Sequence, residues 1–255
     1  MNSIHRTAIV TGAGSGIGEA VAKLFSSRDI RVAVADCDLA AGQRVVREIC
    51  AQRGEGAAVF IHTDVSREPE IIDLVDRALG TCRHLDILVN NASIALAKPI
   101  DRLQEEEWDR IMDVNLKSMY LMIKHTISAL RARRGVIVNM ASLNGLVGQR
   151  MNAAYSASKG AVIAMTKSLA LDYAADGVRV NCICPAGVNT MLLERWINQQ
   201  EDPAATRKQL ERMHPVGRIA EPDEIARAAY FLAGNDAGFI TGVALPVDGG
   251  ASLGY

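Results

Sequence analysis

Short apolar segments alternate with amphipathic helical segments through the first part of the chain, and this alternation constrains the fold more than any other feature. Apolar runs typical of buried strands lie within residues 6–11, 31–36, 57–63 and 85–93, and each is followed by a helical pattern. Strands that alternate with helices form a parallel sheet with helices on both faces. The sequence therefore predicts an α/β fold with a doubly wound parallel sheet, which binds ligands at the carboxyl ends of its strands.

The composition fits one domain that covers residues 1–255. The chain has a mass of 27.4 kDa and 49% hydrophobic residues, which is enough for one large buried sheet. A net charge of −1 without a basic tract argues against nucleic acid as a partner. No apolar run is long enough to span a membrane, and the first residues lack a signal-peptide pattern. Five scattered cysteines argue against a zinc site, so we expect reduced thiols, no bound metal and a cytoplasmic protein.

A glycine-rich loop follows the first strand and precedes a helical pattern over residues 19–28. Its glycines are Gly12, Gly14, Gly16 and Gly18. Glycines between a strand and a helix let backbone N–H groups approach a phosphate, and the helix dipole adds attraction. The spacing is Thr-Gly-x-x-x-Gly-x-Gly, not the strict dinucleotide fingerprint Gly-x-Gly-x-x-Gly. The alternative interpretation is a turn that binds no ligand.

The second strand ends in a carboxylate, Asp36, eighteen residues past Gly18. An acid at this position accepts hydrogen bonds from the adenosine ribose hydroxyls and repels a 2′-phosphate. No arginine stands at Ser15 or Cys37 to bind that phosphate. The cofactor predicted by these residues is therefore NAD, not NADP. Asp36 as a plain turn or N-cap residue is the alternative.

Tyr155 and Lys159 lie four residues apart in a helical pattern over residues 152–175, so they share one helix face. A free phenol has a pKa of about 10, and a neighbouring ammonium group should lower the pKa of Tyr155. Ser142 follows the strand over residues 135–138 and could hold a substrate oxygen together with the tyrosine. Taken singly, the pair could arise by chance and Ser142 could be an ordinary turn serine. These three residues indicate a catalytic site only in combination with the other motifs of the chain.

Further polar residues follow the other predicted strands. Asp64, Asn90 and Asn91 lie at strand ends, where they either contact a ligand or merely tie loops together. Asn115 lies within a helical pattern over residues 103–133, between two apolar neighbours, which indicates a buried amide.

The strand–helix rhythm stops at residues 190–215. Two short amphipathic helices are predicted there, over residues 191–198 and 203–213, and Asp202 is expected to cap the second. They fall at the ligand-binding edge of the sheet. We therefore expect this segment to cover a substrate.

These motifs together resemble the short-chain dehydrogenases/reductases, in the branch that consists of a single Rossmann domain. The resemblance covers nearly the whole chain and implies an NAD-dependent oxidoreductase that interconverts a secondary alcohol and a ketone. The matching motifs, in chain order, are Thr11–Gly18, Asp64, Asn90-Asn91-Ala92, Asn115, Ser142, Tyr155-x-x-x-Lys159, Pro185 to Thr190 and Val247-Asp-Gly-Gly250.

The resemblance also implies a role for each matching residue. Tyr155 would be the general acid/base, and Ser142 would hold the carbonyl or hydroxyl oxygen. Lys159 would lower the pKa of the tyrosine and hold the nicotinamide ribose, while Asn115 would hold a water that links Lys159 to solvent. The implied cofactor-binding residues are Gly12, Ser15, Gly16, Ile17, Gly18, Asp36, Asp64, Val65, Asn91, Ala92, Tyr155, Lys159, Pro185, Val188 and Thr190.

Two positions depart from the family pattern. A helix pairing that is common in the family also predicts how the chains assemble. Ser93 stands where the family usually has glycine, and Ala186 stands where it usually has Pro-Gly. Since alanine adopts positive φ only at a cost, we expect the loop around Ala186 to differ slightly in shape from that of other family members. Family members commonly pair the helices matching residues 103–133 and 152–175 across a two-fold axis, which implies a homotetramer.

The substrate prediction depends on arginines next to the expected pocket. Arg150, Arg195 and Arg207, with Arg212 nearby, could bind a carboxylate through paired hydrogen bonds, although a solvated arginine is the default for each. The segment also resembles members that act on small hydroxy acids or sugar acids. The alternatives are a neutral sugar or polyol, a nucleotide-sugar dehydratase or epimerase, and a protein that senses NAD(H) without catalysis. The last should have lost part of the set Asn115, Ser142, Tyr155 and Lys159.

Overall fold

A parallel sheet forms the centre of the molecule, which we describe from a computed structural model over residues 6–253. The strand order is β3-β2-β1-β4-β5-β6-β7, so the order reverses between β1 and β4, where open α/β sheets bind ligands. All the pairings are parallel, which confirms the predicted fold class. The strands are β1 (Thr7–Thr11), β2 (Arg31–Asp36), β3 (Ala58–His62), β4 (Ile87–Asn90), β5 (Val136–Met140), β6 (Arg179–Pro185) and β7 (Ala244–Val247).

Helices cover both faces of the sheet because the strands are apolar on both sides. The helices are α1 (Gly16–Ser27), α2 (Leu39–Arg53), α3 (Glu68–Cys82), α4 (Glu105–Met112), α5 (Ser118–Arg133), α6 (Ala153–Tyr173), α7 (Met191–Asn198), α8 (Pro203–Met213) and α9 (Pro222–Ala233). One core joins the sheet to α1, α2 and α9, and a second joins it to α3, α5 and α6. Phe25 of α1 is fully buried and meets Tyr230 of α9 edge to face at 5.9 Å between ring centroids, a pair that stabilises the fold by about 0.5–1.5 kcal/mol beyond its burial.

The helix predicted over residues 103–133 is not regular. Its α4 and α5 parts are joined by one wide π-helical turn over Asp113–Lys117. Such turns insert an extra residue into the α-helical ladder and often occur at functional sites. This turn carries Asn115, whose side chain is fully buried, as its apolar neighbours indicated.

The last strand is shorter than the sequence pattern predicted. The apolar pattern over residues 240–247 predicts one extended strand, but β7 covers only Ala244–Val247. The reason is Gly242, whose φ of 76° lies in the left-handed region, outside the strand conformation. The chain therefore turns before it joins β6.

The two short helices after β6 have the predicted bounds. Asp202 caps α8 by accepting a hydrogen bond from the Ala205 N–H at 2.9 Å. A small apolar cluster that includes Ile197 and Leu210 joins α7 to α8. Across residues 6–253, no helix combines the length and apolarity needed to cross a bilayer.

Candidate active site

The glycine-rich loop lies directly against the chain that leaves β4. Gly12 has a φ of 62°, and a Cβ on Gly18 would come within 2.1 Å of the Gly12 carbonyl oxygen. The Asn91 side-chain amide donates to the carbonyls of Thr11 and Gly12, both at 3.0 Å. Asn91 thus holds the loop in its shape. Only glycine fits at position 18, where the first turn of α1 touches the Gly12 carbonyl.

The first turn of α1 has backbone N–H groups without a partner from a capping side chain. The helix begins at Gly16, and the hydroxyl of the N-cap residue Ser15 makes no capping hydrogen bond. The N–H groups of Gly16, Ile17 and Gly18 therefore remain available. Together with the positive end of the helix dipole they suit a phosphate, so this loop fits the pyrophosphate of a dinucleotide.

Asp36 lies at the end of β2, beside the same loop. Its carboxylate accepts the N–H groups of Gly14 at 2.8 Å and Asp38 at 2.9 Å. The side chain of Arg44 is also near, because it donates to the Gly14 carbonyl at 3.0 Å. Glu19 holds that guanidinium group through a bond of 2.6 Å. Arg44 is thus already paired with a carboxylate, which the sequence alone did not reveal.

Asp64 and Val65 follow β3 at the same edge of the sheet. Burial would raise the pKa of Asp64, but hydrogen bonds from the side chain and backbone of Ser66 outweigh burial and keep that pKa below its usual value. Val65 is buried and offers an apolar surface. The role in cofactor binding that the resemblance implies for both residues stays a prediction.

Pro185, at the end of β6, and Val188 and Thr190, between β6 and α7, are three of the residues that the resemblance predicts to bind the cofactor. Ala186 lies outside the left-handed region, so this departure from the family pattern causes no backbone strain. Val188 is buried and pairs with Ala220. Thr190 caps α7.

His214 is a residue of this region that the sequence analysis missed. Its Nδ1 lies 2.6 Å from the Leu210 carbonyl in α8, so Nδ1 carries the proton and donates. Its Nε2 then accepts the Gly187 N–H at 3.1 Å. The buried ring therefore joins the covering segment to the loop over residues 185–190. No sequence motif marks such a contact, because it depends on where α8 ends.

Lys159 is buried, with only 1% of its surface exposed. Its Nζ donates to the Met140 carbonyl at 2.8 Å and lies 5.6 Å from the ring centroid of Tyr155. Burial lowers the pKa of Lys159 to about 7. The ammonium group is therefore only partly protonated near neutral pH.

The pKa of Tyr155 moves opposite to the expectation from the sequence. Burial raises the pKa of the phenol, and hydrogen-bonding interactions with the hydroxyls of Ser142 and Ser93 offset this only in part. Lys159, whose Nζ lies 5.6 Å from the ring centroid, is not among the groups that shift the pKa of Tyr155, so the predicted lowering by Lys159 is not seen. Additional positive charge is needed to form the phenolate near neutral pH.

Asn115 holds the loop after β4 against α6. Its Oδ1 accepts the Ile94 N–H at 2.8 Å and the Ser93 hydroxyl at 3.2 Å. Its Nδ2 donates to the Ile94 carbonyl at 2.9 Å and to the Ser158 hydroxyl at 3.2 Å. Asn115 therefore lies next to the groups around Tyr155, and its predicted role in holding a water stays a prediction.

Asn90 has a structural role in the described contacts. Its amide donates to the Asn139 side chain at 2.9 Å, and Asn139 donates to the Thr166 hydroxyl at 3.0 Å. This buried chain of polar groups joins β4, β5 and α6. The sequence left two interpretations open for Asn90, a ligand contact and a tie between loops. The contacts of Asn90 agree with the second.

The arginines predicted to bind substrate differ in availability. Arg150 and Arg195 are exposed, and within residues 6–253 neither makes an ion pair with a carboxylate. Arg207 instead pairs with Glu194 and ties α8 to α7. Arg207 would have to leave that partner to bind a substrate.

The opposite edge of the sheet also has a cleft, but its arginines are engaged by the protein itself. A cleft of about 220 Å³ at the opposite edge contains Arg6 and Arg179, which donate to carbonyls at the end of α9 and so have a structural role. Within residues 6–253, no group of three or more His, Cys, Asp or Glu side chains is placed to hold a metal ion.

Comparisons with known proteins point to one family. The sequence model of a family described as enoyl-(acyl carrier protein) reductase matches residues 12–252. An L-fucose dehydrogenase of Mus musculus is 41% identical, across 98% of this chain and 89% of that protein. A cis-4-hydroxycyclohexanecarboxylate dehydrogenase of Sinomonas cyclohexanicum is 39% identical, across 96% of each chain. A 3-ketoacyl-(acyl-carrier-protein) reductase from Brucella melitensis, solved with NADH, is 36% identical with a TM-score of 0.89, across 98% of this chain and 100% of that one.

Proposed function

Because the chain belongs to the short-chain dehydrogenase/reductase family and is an oxidoreductase of alcohol CH–OH groups, we propose that it uses NAD to interconvert a small secondary alcohol and its ketone, with Tyr155 as general acid/base. The observation that carries this proposal is the site itself. Tyr155 lies beside Ser142 and the buried Lys159, at the sheet edge where the glycine-rich loop offers free N–H groups.

In the proposed mechanism Tyr155 takes the hydroxyl proton of the substrate as the carbonyl forms. The Ser142 hydroxyl holds the same oxygen. NAD⁺, when bound, supplies the hydride acceptor and a positively charged ring, and that charge favours the phenolate that burial opposes. Lys159, whose pKa is about 7, can hold or release a proton near neutral pH. A set of proton-transfer groups of this kind contributes about 10²–10⁴-fold to the rate.

A small hydroxy acid is the substrate class that we propose first. Arg150 and Arg195 are exposed arginines on the two segments expected to flank the substrate. Paired hydrogen bonds from a guanidinium group suit a carboxylate. The relative that acts on cis-4-hydroxycyclohexanecarboxylate supports this class. A neutral sugar is the second candidate, supported by the likeness to L-fucose dehydrogenase and by the engagement of Arg207 with Glu194.

The choice between these classes is tested by comparing a hydroxy acid, its methyl ester and neutral sugars at fixed NAD⁺, with NADH formation as the readout. The Arg195→Lys variant should raise KM for the acid by about tenfold and leave KM for the ester nearly unchanged, because lysine cannot make the paired contact. Arg212→Lys is the matched control, since Arg212 is another exposed arginine of the covering segment. If the wild type prefers the ester or a neutral sugar, the acid is excluded and the sugar class takes its place.

The preference for NAD over NADP is proposed from the carboxylate of Asp36 and the pairing of Arg44 with Glu19. A 2′-phosphate would meet a negative charge there without a free cation. We expect kcat/KM for NAD⁺ to exceed kcat/KM for NADP⁺ by about 10²-fold or more. In the Asp36→Ala variant the ratio of these two values should fall at least tenfold. Asp38→Ala is the control, because Asp38 only caps α2. Equal values for both cofactors in the wild type would refute the preference.

A homotetramer is the proposed assembly. Tyr120 of α5 and Leu171 of α6 are exposed apolar residues on the two helices predicted to pair, and Leu171 has 82% of its surface exposed. Burial of such side chains favours association. Light scattering at micromolar concentration should give four times the chain mass, and Leu171→Glu should shift the mass downward. A wild-type monomer would contradict this proposal.

A further inference from the structure

The ring of His214 connects two segments that border the site, the end of α8 and the loop after β6. The residue is buried, with 3% of its surface exposed. Its Nδ1 donates to the Leu210 carbonyl at 2.6 Å, and its Nε2 accepts the Gly187 N–H at 3.1 Å. Since a carbonyl only accepts and an N–H only donates, the two partners select the tautomer with the proton on Nδ1.

The peptide groups on either side of Gly187 are held from two directions. The Gly187 N–H bonds the ring of His214, while the Gly187 carbonyl accepts the Ala220 N–H at 2.9 Å. The Asn189 N–H donates to the Ala220 carbonyl at 2.8 Å. Removing the Nε2 acceptor would take the partner from the Gly187 N–H, and a buried donor without a partner favours a rearrangement of the backbone. The ring therefore fixes one side of this loop.

The place of the loop in the sheet assigns it to one half of a bound dinucleotide. A dinucleotide lies across the crevice where the strand order reverses, here between β1 and β4. Asp36 ends β2, on the side expected to hold the adenosine half. The loop after β6 lies on the other side, beyond β5 and Ser142, and so borders the nicotinamide half.

The same loop also touches the segment expected to hold the pyrophosphate. A Cβ on Gly16 would come within 3.2 Å of Thr190 Cγ2. A shift of the loop would therefore be felt at the point where the nicotinamide half leaves the pyrophosphate. Displacements of about 1 Å in a positioning element can cost 10²-fold in rate.

We propose that His214 is a positioning residue for the nicotinamide half of the cofactor, because it fixes the Gly187 N–H and ties that loop to α8. The proposal rests on the function proposed above, since it assigns His214 a part in placing the same cofactor. We assign the ring no contact with the reacting atoms. It acts through the peptide of Gly187 on the distance over which the hydride is transferred.

Two substitutions separate the two hydrogen bonds of the ring. The side-chain amide of asparagine reaches about as far as Nδ1, and that of glutamine about as far as Nε2. His214→Asn should therefore keep the bond to Leu210 and lose the bond to Gly187. His214→Gln should keep an acceptor for the Gly187 N–H. Both variants lose the ring and one hydrogen bond, so their midpoints in denaturant unfolding should be similar.

Binding is compared for NADH and for ADP-ribose, which lacks the nicotinamide. His214→Asn should weaken NADH binding about tenfold and change ADP-ribose binding by less than about twofold, because the loop borders only the nicotinamide half. His214→Gln should bind both ligands nearly as the wild type does. With an alcohol substrate, kcat of His214→Asn should fall about tenfold, while KM for the alcohol changes less.

A third readout uses the wild-type protein and covers the case in which His214→Asn does not fold. Nitrogen NMR of the histidine rings should show the His214 proton on Nδ1 in the free protein; the signals are identified by their loss in His214→Gln. The Nε2 signal should shift when NADH binds and stay nearly unchanged when ADP-ribose binds.

Loss of NADH affinity and of kcat in His214→Asn, with rescue in His214→Gln, supports the proposal. If both variants behave alike, or if His214→Asn weakens NADH and ADP-ribose equally, the ring only supports the fold and the proposal fails. A wild-type ring with its proton on Nε2, or one whose Nε2 signal ignores NADH, also overturns it. Binding and NMR need no turnover, so a wild type that binds NADH but oxidises no alcohol would refute the proposed function and not this inference.

Discussion

Replacing Tyr155 with phenylalanine should lower kcat for alcohol oxidation by at least about 10³-fold. The substitution removes one oxygen and with it the only group that we assign to take the substrate proton, a contribution of about 10²–10⁴-fold that grows when residues act as a unit. The ring still fills its half-buried place beside Lys159, so the fold and NADH binding should remain. Turnover at saturating substrate and NADH fluorescence titration measure the two effects separately.

Tyr173→Phe provides the matched control, because Tyr173 is the last residue of the same helix and packs into the second core. It loses the same oxygen from the same helix and should keep nearly full kcat. If Tyr155→Phe retained a tenth or more of the wild-type kcat, Tyr155 would not be the general acid/base.

Replacing Gly18 with alanine should weaken NADH binding by about 10²-fold. The new Cβ would lie 2.1 Å from the Gly12 carbonyl oxygen and 2.6 Å from the Asn91 amide nitrogen, so the backbone of the loop has to move. A displacement of about 1 Å in a positioning element can cost 10²-fold in function. The same strain should lower the free energy of unfolding by about 1–3 kcal/mol. NADH titration and denaturant unfolding measure these effects.

Gly80→Ala is the control for that substitution. Gly80 lies in α3, and a Cβ there would have no neighbour within 4 Å. Alanine should therefore raise the free energy of unfolding by about 0.5–1 kcal/mol through helix propensity and leave NADH binding unchanged. If Gly18→Ala bound NADH like the wild type, the glycine-rich loop would not be the cofactor cradle.

The fold and the neighbourhood of the site could be predicted because they follow from local patterns. The alternation of strands and helices predicted the parallel sheet, and the start of α8 followed from Asp202 as N-cap and Pro203 at the first helical position. Residues that end parallel strands meet at one edge of the sheet. Asp64 and Asn91, which follow β3 and β4, therefore lie at that edge as expected.

The details that the sequence did not predict, or predicted wrongly, depend on contacts between distant parts of the chain. The wide turn at Asn115 replaces a regular helix because its amide bonds the Ile94 backbone, which lies in another element. The hydrogen bond from the Gly187 N–H to His214 depends on where α8 ends relative to Gly187. The direction of the pKa shift of Tyr155 depends on burial, and the spacing between Tyr155 and Lys159 says nothing about how much water reaches them.

Transfer of deuterium from the alcohol to the cofactor reports NAD-dependent oxidation of a secondary alcohol at Tyr155 without an intervening assumption. The best substrate of the alcohol panel is labelled at its carbinol carbon and incubated with NAD⁺, and the reduced cofactor is analysed by mass spectrometry. The wild type should give NADH that carries one deuterium together with an equal amount of ketone, and Tyr155→Phe should give neither above background. Unlabelled NADH, no turnover of any alcohol in the panel, or equal label transfer by Tyr155→Phe would contradict the account.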